Sequence, residues 1–589
     1  METNAGQKQN LLAVLLEDYF HVGAFNQLIQ PDQWYRFESR YEKNTLAALD
    51  LLDKYQTRAT FFTLGWIADR SPELLREITR RGHEIACRGY YNHDVARMTP
   101  REFRDDLARA GEAIERASGQ IPAGYRAATP WRLERERWAL EILAGQGYRY
   151  DTSVMTRGFD AHCLPAELYS QKIELASGAI WEFPVPSWSL LNWHIPISGG
   201  NYFRQAPHRL MKRAVTWWHE RQDAPFIMYF HVWELDQQQP RISGASSLAQ
   251  LRHYRNLGKL EWVIGDYLRD YRFTPFITFL AGANDGPAVS PARLSPAAHS
   301  AAIPCIETRA ATPSDIVRPP VTIVIPCFNE EQTLPYLDNT LKSVEAALSC
   351  ICQPQFLFVD DGSSDGTWDV LSRLFGGRAA FRLVRHARNR GIAAAILTGI
   401  SHAETEIVCS MDCDCTYDPH ELRKMIPLLT EGVDMVTASP YHPEGQVRNV
   451  PPWRLTLSKG ASFLYRQVLR QQLSTYTSCF RVYRHAAIRE LHLQEKGFLG
   501  VAEMLARLDL GGSKIIEHPA TLEVRLFGRS KMKLLKTILG HLRLLARLAA
   551  ARMSGPAPLA VGLEKTNTSV SVPEPPYQSL GIQPERNQP

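Results

Sequence analysis

Short apolar runs alternate with stretches of helical period from residue 11 to residue 280. Residues 11–16, 59–64, 83–87, 125–128 and 226–232 read as strands. The helical patterns between them predict an α/β barrel. The punctuation agrees: Thr99-Pro100-Arg101-Glu102 offers an N-cap, a proline for the first helical position and a glutamate for a capping box, in a helix that should end near Gly119. Beyond residue 320 the pattern repeats with different endings. The apolar runs 321–325, 356–359 and 406–411 each lead into polar residues, as strands of an open α/β sheet do at the edge where ligands bind. Residues 531–553 form a helix of another kind. Leu534, Leu535, Ile538, Leu542, Leu545 and Ala549 share one face, while Lys533, Lys536, Arg543 and Arg547 make the opposite stripe. Such a helix either lies on an anionic bilayer or covers an apolar face of its own domain.

A chain of 589 residues is too long for one ordinary core. Residues 281–320 are rich in Ala, Pro, Ser and Gly and read as a linker, and 554–589 as a polar, disordered tail. The expected division is therefore 1–280, linker 281–320, 321–530, helix 531–553 and tail 554–589. Lys and Arg number 67 against 62 Asp and Glu, a formal +5 that is too small to argue for nucleic acid. The ten cysteines lack zinc-ligand spacing and read as reduced thiols. Neither a secretory signal nor a membrane-spanning run is legible, so the chain is expected in the cytoplasm.

The chemistry concentrates in the second half. Residues 359–367 read VDDGSSDGT, and about fifty residues later comes Met411-Asp412-Cys413-Asp414. Two acidic strand ends facing one crevice suit a nucleotide with a divalent metal, because hard carboxylate oxygens bind Mg²⁺ or Mn²⁺ together with substrate phosphates. An Asp-x-Asp alone is more often a solvated turn. Here a third element agrees, since the run at 321–325 ends in Pro326-Cys327-Phe328-Asn329-Glu330-Glu331.

The order and spacing of these three motifs resemble the family-2 glycosyltransferases, specifically the polyprenyl-phosphate (dolichol-phosphate mannose synthase-like) branch. Asp418-Pro419, Asn389-Arg390-Gly391, Trp453-Arg454 with Ser458, Thr477-Ser478-Cys479-Phe480-Arg481 and Gly528-Arg529-Ser530-Lys531 fit as well. The resemblance implies a GT-A, Rossmann-like open sheet. It also implies that Pro326, Glu330, Asp360 and Asp361 hold the nucleoside, and that Asp412 and Asp414 bind metal and diphosphate. Arg454, Ser458, Arg481, Arg525, Arg529 and Lys531 would surround donor and acceptor phosphates, with Asp412, Asp414 and Arg481 central to catalysis. The implied partners are a nucleotide sugar, a polyprenyl phosphate or lipid-linked glycan, and the cytoplasmic face of a membrane. Thr416 stands where many relatives carry a glutamine, and Ser439-Pro440-Tyr441 where many carry an arginine.

The first half resembles the polysaccharide deacetylase (NodB-like) family, hence a (β/α)7-type barrel. The matching residues include Glu17-Asp18-Tyr19-Phe20-His21, Gly82-His83-Glu84, Gly124-Tyr125-Arg126, Tyr150-Asp151-Thr152-Ser153 and His231-Val232-Trp233-Glu234. Such enzymes need a carboxylate and two histidines on zinc or a similar metal, with a base beside them. The family's first aspartate falls on Leu15, and the segment that carries two histidines reads Cys87-Arg88-Gly89-Tyr90-Tyr91-Asn92-His93. Leucine accepts no proton and arginine ligates no metal. The favoured reading is a sugar-binding or scaffolding pseudoenzyme whose pocket holds Glu17, Asp18, His93, Arg126, Asp151 and His231. The alternative is an active N-deacetylase in which Asp18, His93 and His231 hold Zn²⁺ or another divalent metal and Glu17 is the base. His21, His83 and His253 read as structural, and at least half of Trp181, Trp188, Trp193 and Tyr202 as core.

Overall fold

The computed structural model describes residues 8–159, 168–190, 192–282, 318–528 and 534–553. Most of the expected linker, the whole expected tail, and Arg529 and Lys531 lie outside the described residues. Two sheets organise the chain. In the first, strands Ile227–His231, Asn10–Leu16, Thr60–Thr63, Glu84–Cys87, Gly124–Tyr125, Tyr150–Asp151 and Gly178–Glu182 run parallel in that order, and Gln171–Leu175 adds an antiparallel edge. The short strand Phe273–Thr274 also pairs parallel with the start of Asn10–Leu16, beside the seven parallel strands of the expected (β/α)7-type barrel. Leu11 to Leu16 are at most 1% exposed, because helices cover one face of a parallel sheet while its other face fills the barrel. Helix Pro100–Ser118 starts on the expected capping box, with Thr99 Oγ1 accepting from Glu102 N, and Gly119 caps it at φ 74°.

The second sheet has the order Phe381–Arg385, Gln353–Asp360, Pro320–Cys327, Ile407–Ser410, Arg481–Arg484, Met435–Ser439, Ile515–Pro519. Its first four strands are parallel, and Arg481–Arg484 is antiparallel to both neighbours. The strand order reverses at Pro320–Cys327, which places a crevice at the carboxyl ends of Gln353–Asp360, Pro320–Cys327 and Ile407–Ser410. This is the Rossmann-like GT-A arrangement.

Helix Leu534–Met553 packs on helices Pro452–Val468 and Phe498–Leu510. The face it buries is shifted from the expected one. Leu545 is buried as expected, but Leu544 and Leu548, outside the expected stripe, are buried with it at 1% and 6% exposure, whereas Leu542 is 48% exposed. The two partner helices, and not the helix's own amphipathic stripe, set its rotation. Each buried leucine contributes roughly 1.5–3 kcal/mol. Arg547, assigned to a basic stripe, pairs with Glu495. No described helix is long and apolar enough to cross a membrane.

Candidate active site

The donor side begins where Gln353–Asp360 ends. Asp360 is fully buried, accepts from Ser363 N at 3.0 Å and lies 3.0 Å from Arg385 Nε. The Asp361 carboxylate accepts from His386 Nδ1 at 2.7 Å, Arg390 N at 2.8 Å and Gly391 N at 2.7 Å, which shapes the 386–391 loop. Gly391 has φ 98°, and a Cβ there would come within 2.4 Å of the Lys496 carbonyl, so this tight approach requires glycine. Pro326 is buried one residue before the end of its strand, beside Val359 in register.

Glu330 faces another way. Its carboxylate pairs with Arg525 Nη2 and accepts from Thr333 Oγ1 at 2.9 Å. Arg525 Nε lies 3.5 Å from Asp414 Oδ2, so one guanidinium bridges the turn after the first strand and the Asp-x-Asp loop. Burial disfavours the charge on Arg525, but Asp414 and Glu330 outweigh it and hold the group above its ordinary value. Burial, together with Asp414 beside it, pushes Asp412 up to about 7. Two carboxylates crowded into a half-buried crevice call for a cation, and their oxygens are the donor set that Mg²⁺ or Mn²⁺ prefers. Cys479, from the Thr477-Ser478-Cys479-Phe480-Arg481 motif, hydrogen-bonds Asp412.

Arg481 corrects the sequence reading. It is fully buried, and its two terminal nitrogens donate to the carbonyls of Val501 at 2.8 Å and Tyr476 at 2.9 Å. A guanidinium committed to backbone acceptors inside the core holds the 476–479 turn and does not reach a phosphate. Arg454 and Ser458 do lie with Asp412, Asp414 and Arg525, in the wall of one groove of about 740 Å³. Beyond these polar residues the groove is walled by Leu457, Phe463, Leu464, Phe498, Ile538 and Leu542. Trp453, Phe463, Phe498 and Leu542, also in its wall, are 40–61% exposed, so part of its lining is an exposed apolar surface.

The sequence matches a model of glycosyl transferase family 2 over residues 322–492. It is 30% identical over 217 residues to the polyprenol monophosphomannose synthase of Mycolicibacterium smegmatis, covering 36% of this chain and 80% of that one. The chain belongs to glycosyltransferase family 2. It is also 29% identical over 230 residues to a dolichol-phosphate mannosyltransferase of Pyrococcus furiosus (39% of this chain, 63% of the relative). A third relative, the undecaprenyl-phosphate 4-deoxy-4-formamido-L-arabinose transferase of Yersinia enterocolitica, is 29% identical over 223 residues (37% and 64%). The chain thus spans under two thirds of the length of the last two. N-terminal to the transferase, residues 30–149 match a polysaccharide deacetylase model and 160–281 a domain of unknown function, DUF3473. The transferase is therefore fused to a deacetylase-type barrel.

Among the described residues, the centre of the barrel of this family-2 transferase gathers no cluster of three potential metal ligands. Both Asp18 oxygens are taken by backbone N–H groups: Oδ1 accepts from Tyr19 at 2.9 Å, and Oδ2 from Arg40 at 2.6 Å and Tyr41 at 3.1 Å. Glu17 is ion-paired to Arg88 and accepts from His231 Nδ1 at 2.6 Å. Burial raises the Glu17 carboxyl, but Arg88 and His231 outweigh it and bring it to about 2, too acidic for a general base. Asn92 Nδ2 donates to the His21 carbonyl, and His93 lines a separate cavity with Trp34 and Tyr91. The expected trio Asp18, His93 and His231 therefore does not converge. Arg126 donates to Thr152 and covers the Tyr229 ring at 4.4 Å. Asp151 adjoins Glu182 in register. His21, His83 and His253 are buried, as expected of structural histidines. Trp181 and Tyr202 pack half-buried on the core, while Trp188 and Trp193 are exposed on a hairpin.

Proposed function

We propose that the C-terminal half transfers a glycosyl group from a nucleotide sugar to a polyprenyl phosphate or related lipid-linked acceptor, with inversion, at the cytoplasmic face of a membrane. The observation that carries this is the groove: its wall holds Asp412, Asp414 and Arg525, and the rest of its lining is largely apolar and partly exposed. That lining suits a phosphate on a long hydrocarbon chain. The relatives named for polyprenol and undecaprenyl phosphate support the same substrate class.

The acceptor oxygen of a lipid phosphate is already anionic, so the site needs no general base. Its task is in-line positioning and charge neutralisation. Arg454 and Ser458 orient the phosphates, because a guanidinium fork matches phosphate oxygens. Arg525 stands between Glu330 and Asp414, where diphosphate charge would gather. Asp412 and Asp414 would hold Mg²⁺ or Mn²⁺, which when bound offsets the charge of the departing diphosphate. Asp360, Asp361 and Pro326, at the carboxyl ends of two adjoining strands, would hold the nucleoside, and Arg529 and Lys531, next in the sequence after the Arg525 segment, would add to the phosphate contacts. The exposed apolar lining is the surface that meets the bilayer.

The test is purified protein with Mg²⁺ or Mn²⁺, a panel of nucleotide sugars and polyprenyl phosphate. One donor should be consumed with sugar appearing on the lipid, and Asp412→Ala should abolish this; no transfer, or an equally active variant, refutes the proposal. The barrel, on this reading, binds the glycan without hydrolysing it, because Arg88 and the committed Asp18 leave no place for a metal. The bifunctional alternative predicts stoichiometric Zn²⁺ in a protein lacking Asp412 and Asp414, together with amine release from N-acylated sugars; neither is expected.

A further inference from the structure

The barrel grips the transferase at the two segments that build the head of the groove. Ser243 N donates to the Leu526 carbonyl at 2.7 Å, and Ser243 Oγ donates to the same carbonyl at 3.1 Å and to the Gly528 carbonyl at 2.6 Å. The next residue, Gly244, lies so close that a Cβ there would sit 3.0 Å from the Arg525 carbonyl and 3.3 Å from Val524 Cγ1. Phe37, buried in the interface, lies 5.0 Å from the Tyr336 ring and 6.0 Å from the Phe527 ring. Gln33 Nε2 donates to Glu523 at 3.2 Å. The second grip is electrostatic: Arg36 Nη2 donates to Asp418 Oδ2 at 2.8 Å, four residues beyond Asp414.

The segment held in this way has little structure of its own. Residues 524–528 follow the three-residue strand Thr521–Glu523, which pairs with Gln446–Arg448 and is bridged through Leu522 to Tyr417, and then run irregularly. Arg525 stands on this segment, and its guanidinium must be fixed against both Glu330 and Asp414. Ordering such a stretch costs roughly 1–2 kcal/mol per residue in backbone entropy. Contacts from a rigid barrel supply that order before substrate arrives.

We propose that the barrel is a built-in positioning domain of the transferase, clamping residues 524–528 so that Arg525 is held over the Asp-x-Asp loop. The proposal rests on the transfer reading above. Ser243, Gly244, Phe37 and Arg36 are its positioning residues, and none of them touches substrate.

The experiment uses the full chain carrying Ser243→Ala with Gly244→Val, and separately Arg36→Asp with and without Asp418→Arg. Hydrogen–deuterium exchange of peptides spanning 520–528 is read beside transfer kinetics, with peptides from Gln353–Asp360 as the control for folding. Exchange across 520–528 should quicken while the control stays unchanged. The kcat should fall by about ten- to a hundredfold with donor KM within about twofold, and the charge reversal should recover part of the Arg36→Asp loss. Unchanged exchange at 520–528 overturns the clamp whatever the activity, and faster exchange with unchanged kcat overturns its positioning role. If the wild type transfers no sugar, the transfer reading falls, and the clamp is judged on exchange alone.

Discussion

Arg88 Nη2 lies 3.1 Å from Glu17 Oε2 in the middle of the barrel, with 4% and 1% of the two side chains exposed. The fixed guanidinium supplies the positive charge that a buried carboxylate needs. Removing one partner of such a pair strands the other. Arg88→Leu should therefore destabilise the barrel by about 3–5 kcal/mol, read from chemical denaturation of the intact chain. A variant as stable as the wild type would show that the pair contributes nothing.

Glu182 and Asp151 are register neighbours on adjoining strands, both fully buried. Burial and the Asp151 carboxylate hold Glu182 well above its ordinary value. Its folded pKa is raised, so the stabilisation is complete below the unfolded value near 4.5 and is lost as pH rises toward the folded one. Glu182→Gln keeps a hydrogen-bond donor toward Asp151 without needing a proton. Its melting temperature relative to the wild type should therefore increase steadily from pH 5 to pH 8. A constant difference across that range would contradict the assignment.

Leu464 lines the apolar part of the groove and is 40% exposed. If the groove takes the hydrocarbon of a lipid phosphate, Leu464→Glu should raise the acceptor KM by about tenfold, since a charge replaces roughly 1.5–3 kcal/mol of apolar contact. The penalty should shrink with a short water-soluble prenyl phosphate. An equal penalty for both acceptors would place the hydrocarbon elsewhere.

The three carboxylate-bearing motifs, the buried strands and the Thr99 capping box were legible because they are local. A strand end, a cap or an Asp-x-Asp needs only a few neighbouring residues to declare its type. The departures from the deacetylase pattern at Leu15 and Arg88 were equally legible, since they are read from residue type alone.

Partnership was not legible, because side chains choose among acceptors that only the folded chain brings near. Arg481 reads as a phosphate contact but satisfies two buried carbonyls. The helix after residue 533 shows the same limit: its sequence offers an amphipathic stripe, yet the helices it packs on choose Leu544 and Leu548. The sequence by itself determined which family each half resembles and where the first half departs from its family's pattern. Tertiary structure alone decided that Arg525 bridges Glu330 and Asp414, that an apolar groove adjoins them, and that the barrel grips the segment bearing Arg525. Each of these joins residues far apart in the chain, and no local pattern encodes such a contact.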